Sequence, residues 1–146
     1  MRTSIHFLGE LPQEVQNFQE ELKKWLISVA FERGFQIRRL VYHFLNNEAS
    51  RRLNFDFLSH DYPTDIITMD HSQERGLEVE MFLGYQIIAE NAKVFSVAFS
   101  DELDRVMVHG LLHCIGFDDK TETEFDRMKA EENICLISRP KSLLER

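Results

Sequence analysis

Cysteine is nearly absent from this chain of 146 residues: Cys114 and Cys135 are the only two. That is too few for a disulfide scaffold and suits a reducing compartment. Long apolar runs are also missing. The longest span a few residues, far short of the roughly 20 needed to cross a bilayer, and the stretch Met1 to Gly9 lacks the basic-then-apolar form of an export signal. The expectation is a cytoplasmic protein with no membrane partner. Proline and glycine are sparse, three and six, and no linker, low-complexity block or internal repeat divides the chain. Residues 1–146 are therefore expected to form a single domain. A basic excess is lacking too: 17 Lys and Arg face 25 Asp and Glu, for a formal charge of −8. Such a chain is not drawn to phosphate backbones as a whole body, so a nucleic-acid substrate has to be met by a local basic patch or by a bound metal.

What is present is ordinary for a globular protein, with 43% apolar and 29% charged residues, enough to bury a substantial core. Ser4 to Gly9 reads as an edge strand. Val15, Phe18, Leu22, Trp25, Leu26 and Val29 recur at helical spacing from Gln13 to about Phe31, with Gly34 as the stop. Phe35 to Phe44 is rich in strand formers, Asn47 to Leu58 reads as a helix, and Asp65 to Met69 and Leu77 to Phe82 read as a pair of neighbouring strands. Helical character returns at Tyr85 to Ala92, again from Ser100 as a cap, and finally from Glu122 to Leu136 behind a capping box of Thr121 and Glu124. This order predicts an α+β fold with a small mixed sheet of about four strands covered by helices on one face.

The chemistry concentrates in His109-Gly110-Leu111-Leu112-His113-Cys114-Ile115-Gly116-Phe117-Asp118-Asp119. Residues four apart on a helix stand one turn above each other, so the imidazoles of His109 and His113 can reach one ion. Gly116 tolerates the left-handed backbone that ends many helices and lets the chain swing Asp119 back toward the same ion. Two imidazoles and one carboxylate leave a fourth position for water, the pattern of a catalytic zinc. Leu103, Val106, Met107, Leu111 and Cys114 form the apolar stripe that seats this helix, which gives Cys114 a packing role. The expectation is a metal-dependent hydrolase with His109, His113 and Asp119 as ligands of one zinc per chain, a site that other divalent ions also suit.

This run resembles the signature of the YbeY family of zinc-dependent, single-strand-specific endoribonucleases, H-G-x-L-H-x-x-G-aromatic-D-H, up to its last position. A second stretch, Leu53-Asn54, then Asp61 and Pro63-Thr64-Asp65-Ile66-Ile67, is similar to the family's L-N…D-x-P-T-D-V-L block. The resemblance covers most of the chain. It implies an endoribonuclease of ribosomal RNA maturation and ribosome quality control, with single-stranded RNA and ribosomal particles as partners and DNA not expected among them. Three positions depart from the pattern. Asp119 stands where the family has a third histidine ligand, and Asp118, matching the aspartate before it, ranks second as the ligand. Leu58 stands where the family commonly places an arginine, and Val79-Glu80 where it has Gly-Asp.

Gly110 occupies the place of the glutamate base in the H-E-x-x-H arrangement of zinc peptidases. Without that base, metal-assisted phosphodiester cleavage is easier than amide hydrolysis, which also needs a proton delivered to the leaving nitrogen. His60 and Asp61, in the loop before Pro63, are the catalytic candidates for orienting a phosphate or shuttling a proton, with an exposed loop histidine as the equal alternative. His6, His43 and His71 lack ligand spacing. Arg38, Arg39, Arg51 and Arg52 are either the positive patch that RNA requires or solvated faces. Two rival readings stand beside the nuclease: a metallopeptidase-like or other zinc hydrolase, and a ribosome-associated binding factor with weak catalysis, which Leu58 and the acidic charge favour.

Overall fold

Four segments whose side chains alternate between two faces build one sheet in the computed structural model, which describes residues 2–146. They are β1 (Ser4–Gly9), β2 (Gln36–Leu45), β3 (Ile66–Asp70) and β4 (Gly76–Gly84), in the order β1-β2-β4-β3. β2 is parallel to both β1 and β4, and β3 runs antiparallel to β4. The mixed four-stranded sheet, the edge position of β1 and the pairing of β3 with β4 are those expected from the sequence. The helices are α1 (Gln13–Gln16), α2 (Gln19–Glu32), α3 (Asn47–Leu58), α4 (Tyr85–Val94), α5 (Phe99–Ile115), α6 (Glu122–Ile137) and α7 (Lys141–Leu144). No helix among the described residues is long and apolar enough to cross a membrane.

One sheet face carries the core. Phe7, Leu40, Tyr42, Phe44, Val79, Met81 and Leu83 are buried there with Leu22, Leu26, Leu103, Met107 and Leu111 of the helices. Full burial of an aliphatic side chain is worth roughly 1.5–3 kcal/mol, so three such residues on α5 fix that helix against the sheet. Tyr42 adds a buried hydrogen bond, its hydroxyl donating to the Met107 carbonyl at 2.9 Å. The opposite face is mixed: His43 and Phe82 stack at 4.4 Å, Arg39 pairs with Glu80 at 3.6 Å, and α3 rests beside Leu45 and Phe82.

Two local expectations need correcting. The helix expected from Gln13 to Phe31 is two helices, because Phe18 leaves helical geometry at φ −135° and ψ 27°; Val15 and Leu22 still reach the core, so the apolar period does not register the break. α5 begins behind Ala98, which offers no side-chain cap, while Ser100 lies inside the first turn and is buried. α7 is a single turn, too short to leave a period. The capping box of Thr121 and Glu124 is formed in both directions, at 3.1 and 3.0 Å.

Asp104 ties α5 to the end of the chain. It is fully buried, accepts a hydrogen bond from Arg139 at 2.8 Å, and pairs with Arg146, whose side chain is buried. Removing one member of a buried pair leaves the other charge desolvated and costs about 3–5 kcal/mol. Asp104→Ala is therefore expected to lower stability by that amount in urea denaturation, whereas a loss below 1 kcal/mol would mean that Arg146 reaches water and the pair is superficial.

Candidate functional site

α5 presents its histidines because its other side is committed to the core. A Cβ at Gly110 would come within 2.6 Å of Met81 Sδ and 2.8 Å of Ile66 Cδ1, so this position faces the sheet at close approach. A glutamate base has no room there. Gly116 ends the helix at φ 124° with nothing within 4 Å of a built Cβ; backbone conformation, not space, demands glycine. The bend turns Phe117, Asp118 and Asp119 back along the helix.

His109 is held at one ring nitrogen and open at the other. Its Nδ1 lies 2.7 Å from Glu132 Oε2 on α6. A carboxylate only accepts, so this nitrogen carries the proton and, in the neutral imidazole, the Nε2 lone pair is left free. Nε2 stands 3.6 Å from Asp119 Oδ2. Two ligands at about 2.0–2.1 Å from a tetrahedral zinc are about 3.3 Å apart, so this pair is spaced as ligands are. Glu132 is held in turn by Arg105 Nη1 at 2.8 Å, and Arg105 Nη2 donates to Asn133 Oδ1 at 2.7 Å. The hydrogen bond to Glu132 pushes the His109 imidazole up from its ordinary range, against the effect of burial. Burial raises the Glu132 carboxyl, but the hydrogen bonds from His109 and Arg105 outweigh it and hold the group below its usual range.

His113 lies one turn on, and its side chain is 48% exposed. Its Nδ1 is 3.2 Å from the Phe117 carbonyl, which fixes the same tautomer and leaves Nε2 free. Asp118 approaches His113 at this Nδ1 edge, 3.7 Å away, while Asp119 faces the free nitrogen of His109. Among the described residues, no three His, Cys, Asp or Glu side chains are gathered closely enough to hold an ion. Imidazole and carboxylate donors are of a kind that suits a divalent ion, and of the three residues expected as ligands the structure brings His109 and Asp119 together at 3.6 Å but does not gather His113 with them. Cys114 turns away, its thiol pushed up to about 12 by burial and by neighbouring Asp70, consistent with packing.

The cleft around His109 and Asp119 is also lined by Asp65, Glu102, Arg105 and Lys129. His60 and Asp61 do not line it. His60 stacks on Tyr62 at 5.3 Å and Asp61 pairs with Arg51 at 2.7 Å, both in the exposed loop after α3. Asp65, four residues on from Asp61, enters the cleft instead. Arg38, Arg39, Arg51 and Arg52 are all opposite carboxylates, Glu78, Glu80, Asp61 and Glu48, as solvated faces would be. Glu132, Arg105 and Glu102 were not legible as site residues. Glu132 meets His109 across 23 positions, and no local spacing marks such a contact.

Second carboxylates that orient a metal-binding histidine typically contribute 10–100-fold in metal affinity. Glu132→Ala is expected to weaken zinc binding, measured by calorimetry, by about that factor while the fold, followed by circular dichroism, persists. Unchanged affinity would show that Glu132 does not orient His109 as a ligand.

The family model described as Endoribonuclease YbeY matches residues 9–138. The chain is 38% identical over 137 residues to the Endoribonuclease YbeY of Cytophaga hutchinsonii, covering 93% of this chain and 96% of that protein. It is 37% identical over 121 residues to that of Bacteroides thetaiotaomicron, covering 83% and 88%. Among solved structures, the solution structure of TM1509 from Thermotoga maritima is similar with a TM-score of 0.66 at 27% identity, over 90% of this chain and 89% of that one. With the family model spanning most of the sequence and both relatives covered nearly end to end, the chain belongs to the Endoribonuclease YbeY family.

Proposed function

We propose that this chain, as a single catalytic domain over residues 1–146, is a metal-dependent endoribonuclease that cuts single-stranded RNA. Ribosomal RNA on ribosomal particles in the cytoplasm is the proposed substrate, as the family's role in rRNA maturation suggests. His109, His113 and Asp119 would hold one ion per chain, zinc or another divalent metal. The observation that carries the reading is the open cleft in which His109, its proton fixed on Nδ1 by Glu132, turns Nε2 toward Asp119 at 3.6 Å.

A divalent ion bound there supplies Lewis acidity toward a phosphoryl oxygen and lowers the pKa of water toward about 7. The chain does the rest. Glu132 and Arg105 lock the His109 ring, so that it is pre-set before substrate arrives. Lys129 lines the cleft as a counter-charge for phosphate. The sheet behind Gly110 leaves no space for a peptidase-type base, which favours phosphodiester over amide cleavage. The binding-factor reading draws on the four ion-paired arginines and on Leu58, which is half exposed without a charge to offer.

Purified protein is expected to carry about one divalent ion per chain and to cut unstructured RNA but not casein. His113→Ala is expected to lose both the ion and the cutting. Full ion content in that variant would remove the site as drawn, and ribosome co-sedimentation without any RNA cleavage would favour the binding factor.

A further inference from the structure

Glu102 sits two turns before His109 on the same helical face, about 10 Å along the axis, and only 7% of its surface is exposed. Its carboxylate lines both the cleft around His109 and the adjoining cleft that contains Phe95. Among the described residues it has no hydrogen-bond partner, and its oxygens are not sealed from solvent. Burial pushes this carboxyl up from the ordinary range; Arg105 and Lys129 pull it down, and Asp65 and Glu132 oppose them. A desolvated carboxylate opening on a cleft is an acceptor in want of donors.

The walls beside it are of a kind that binds nucleobases. Phe95 and Phe125 are both more than half exposed, and Lys129 Nζ lies 5.9 and 5.8 Å from their ring centres. Exposed aromatic faces beside a cation are how single-stranded RNA is held, the base stacking on the ring and its edge meeting polar groups. We propose that Glu102, walled by Phe95 and Phe125 and flanked by Lys129, is a guanine subsite for single-stranded RNA adjoining the His109 cleft. Guanine alone among the four bases offers two adjacent donors on its Watson–Crick edge, N1–H and the N2 amine, one for each carboxylate oxygen, with the acceptor O6 beside them for the Lys129 ammonium. Adenine and cytosine present one amine, and uracil a single N–H between two acceptors. The subsite rests on the RNA-cutting reading for its substrate, not for its geometry.

Binding is measured by fluorescence anisotropy on 2′-O-methyl oligouridylates that carry one central guanosine, inosine or adenosine. Inosine keeps N1–H and O6 and lacks only the N2 amine. The wild type is expected to prefer guanosine over inosine and adenosine by about tenfold, the worth of one good bidentate contact, and Glu102→Gln to bind guanosine and inosine alike. Equal binding of the three by the wild type, or a preference intact in Glu102→Gln, would overturn the subsite. The wild-type series decides without any variant; if Glu102→Gln fails to fold, Phe125→Ala is expected to weaken all three oligonucleotides about tenfold, and unchanged binding there counts against the proposal. Cleavage of unmodified single-stranded RNA is followed in parallel. Cutting without guanosine preference removes the subsite and leaves the nuclease, whereas guanosine preference without cutting leaves the subsite and removes the nuclease.

Discussion

The hydrogen bond between His109 Nδ1 and Glu132, 2.7 Å long, joins the two helices on which the site is built. It settles which ring nitrogen carries the proton, and so which one is free to bind. It also sets the rotation of the ring, because Glu132 is itself clamped by Arg105 from the same helix as His109. The result is a closed loop of contacts, α5 to α6 and back. A histidine of this kind is pre-oriented instead of searching rotamers, which spares the entropy of ordering it when a ligand arrives.

That contact rests on the seating of α5 in the core. Leu103, Met107 and Leu111 are fully buried, Gly110 brings the helix against Met81 and Ile66, and Asp104 binds the far side to Arg139 and Arg146. The polar face left over runs from Glu102 past Arg105 to His109, and then to the bend at Gly116. Rigid packing on one face and chemistry on the other is a division that one amphipathic helix makes naturally. The bend after Gly116 carries Asp119, and His113, half exposed, stands on the last turn of α5 before it.

The sequence revealed what depends on local spacing. His109, His113 and Gly116 are separated by four and three residues, a spacing with direct geometric meaning on a helix, and the four strands and the capping box of α6 announced themselves by period and by end signals. What it concealed depends on the fold. Glu132 and Glu102 look like any acidic residue on an amphipathic helix until α6 is laid across α5. The arginine pairs Arg38-Arg39 and Arg51-Arg52 suggested a patch, yet each residue faces a carboxylate that only the sheet and the loop after α3 bring near. His60 and Asp61 were reasonable as loop residues beside Pro63, but the end of that loop, just before β3, brings Asp65 and not them to the cleft.

The acidic balance of the chain is compatible with a polyanionic substrate only if positive charge is local. Lys129 provides some of it and a bound divalent ion would supply the rest, so RNA cutting depends on that ion being held. Anomalous diffraction from crystals grown with zinc tests it most directly. One peak is expected within about 2.1 Å of the Nε2 atoms of His109 and His113 and of an Asp119 oxygen, with Glu132 still on His109 Nδ1. A peak bound elsewhere, or through Asp118 in place of Asp119, or none at all, would contradict it.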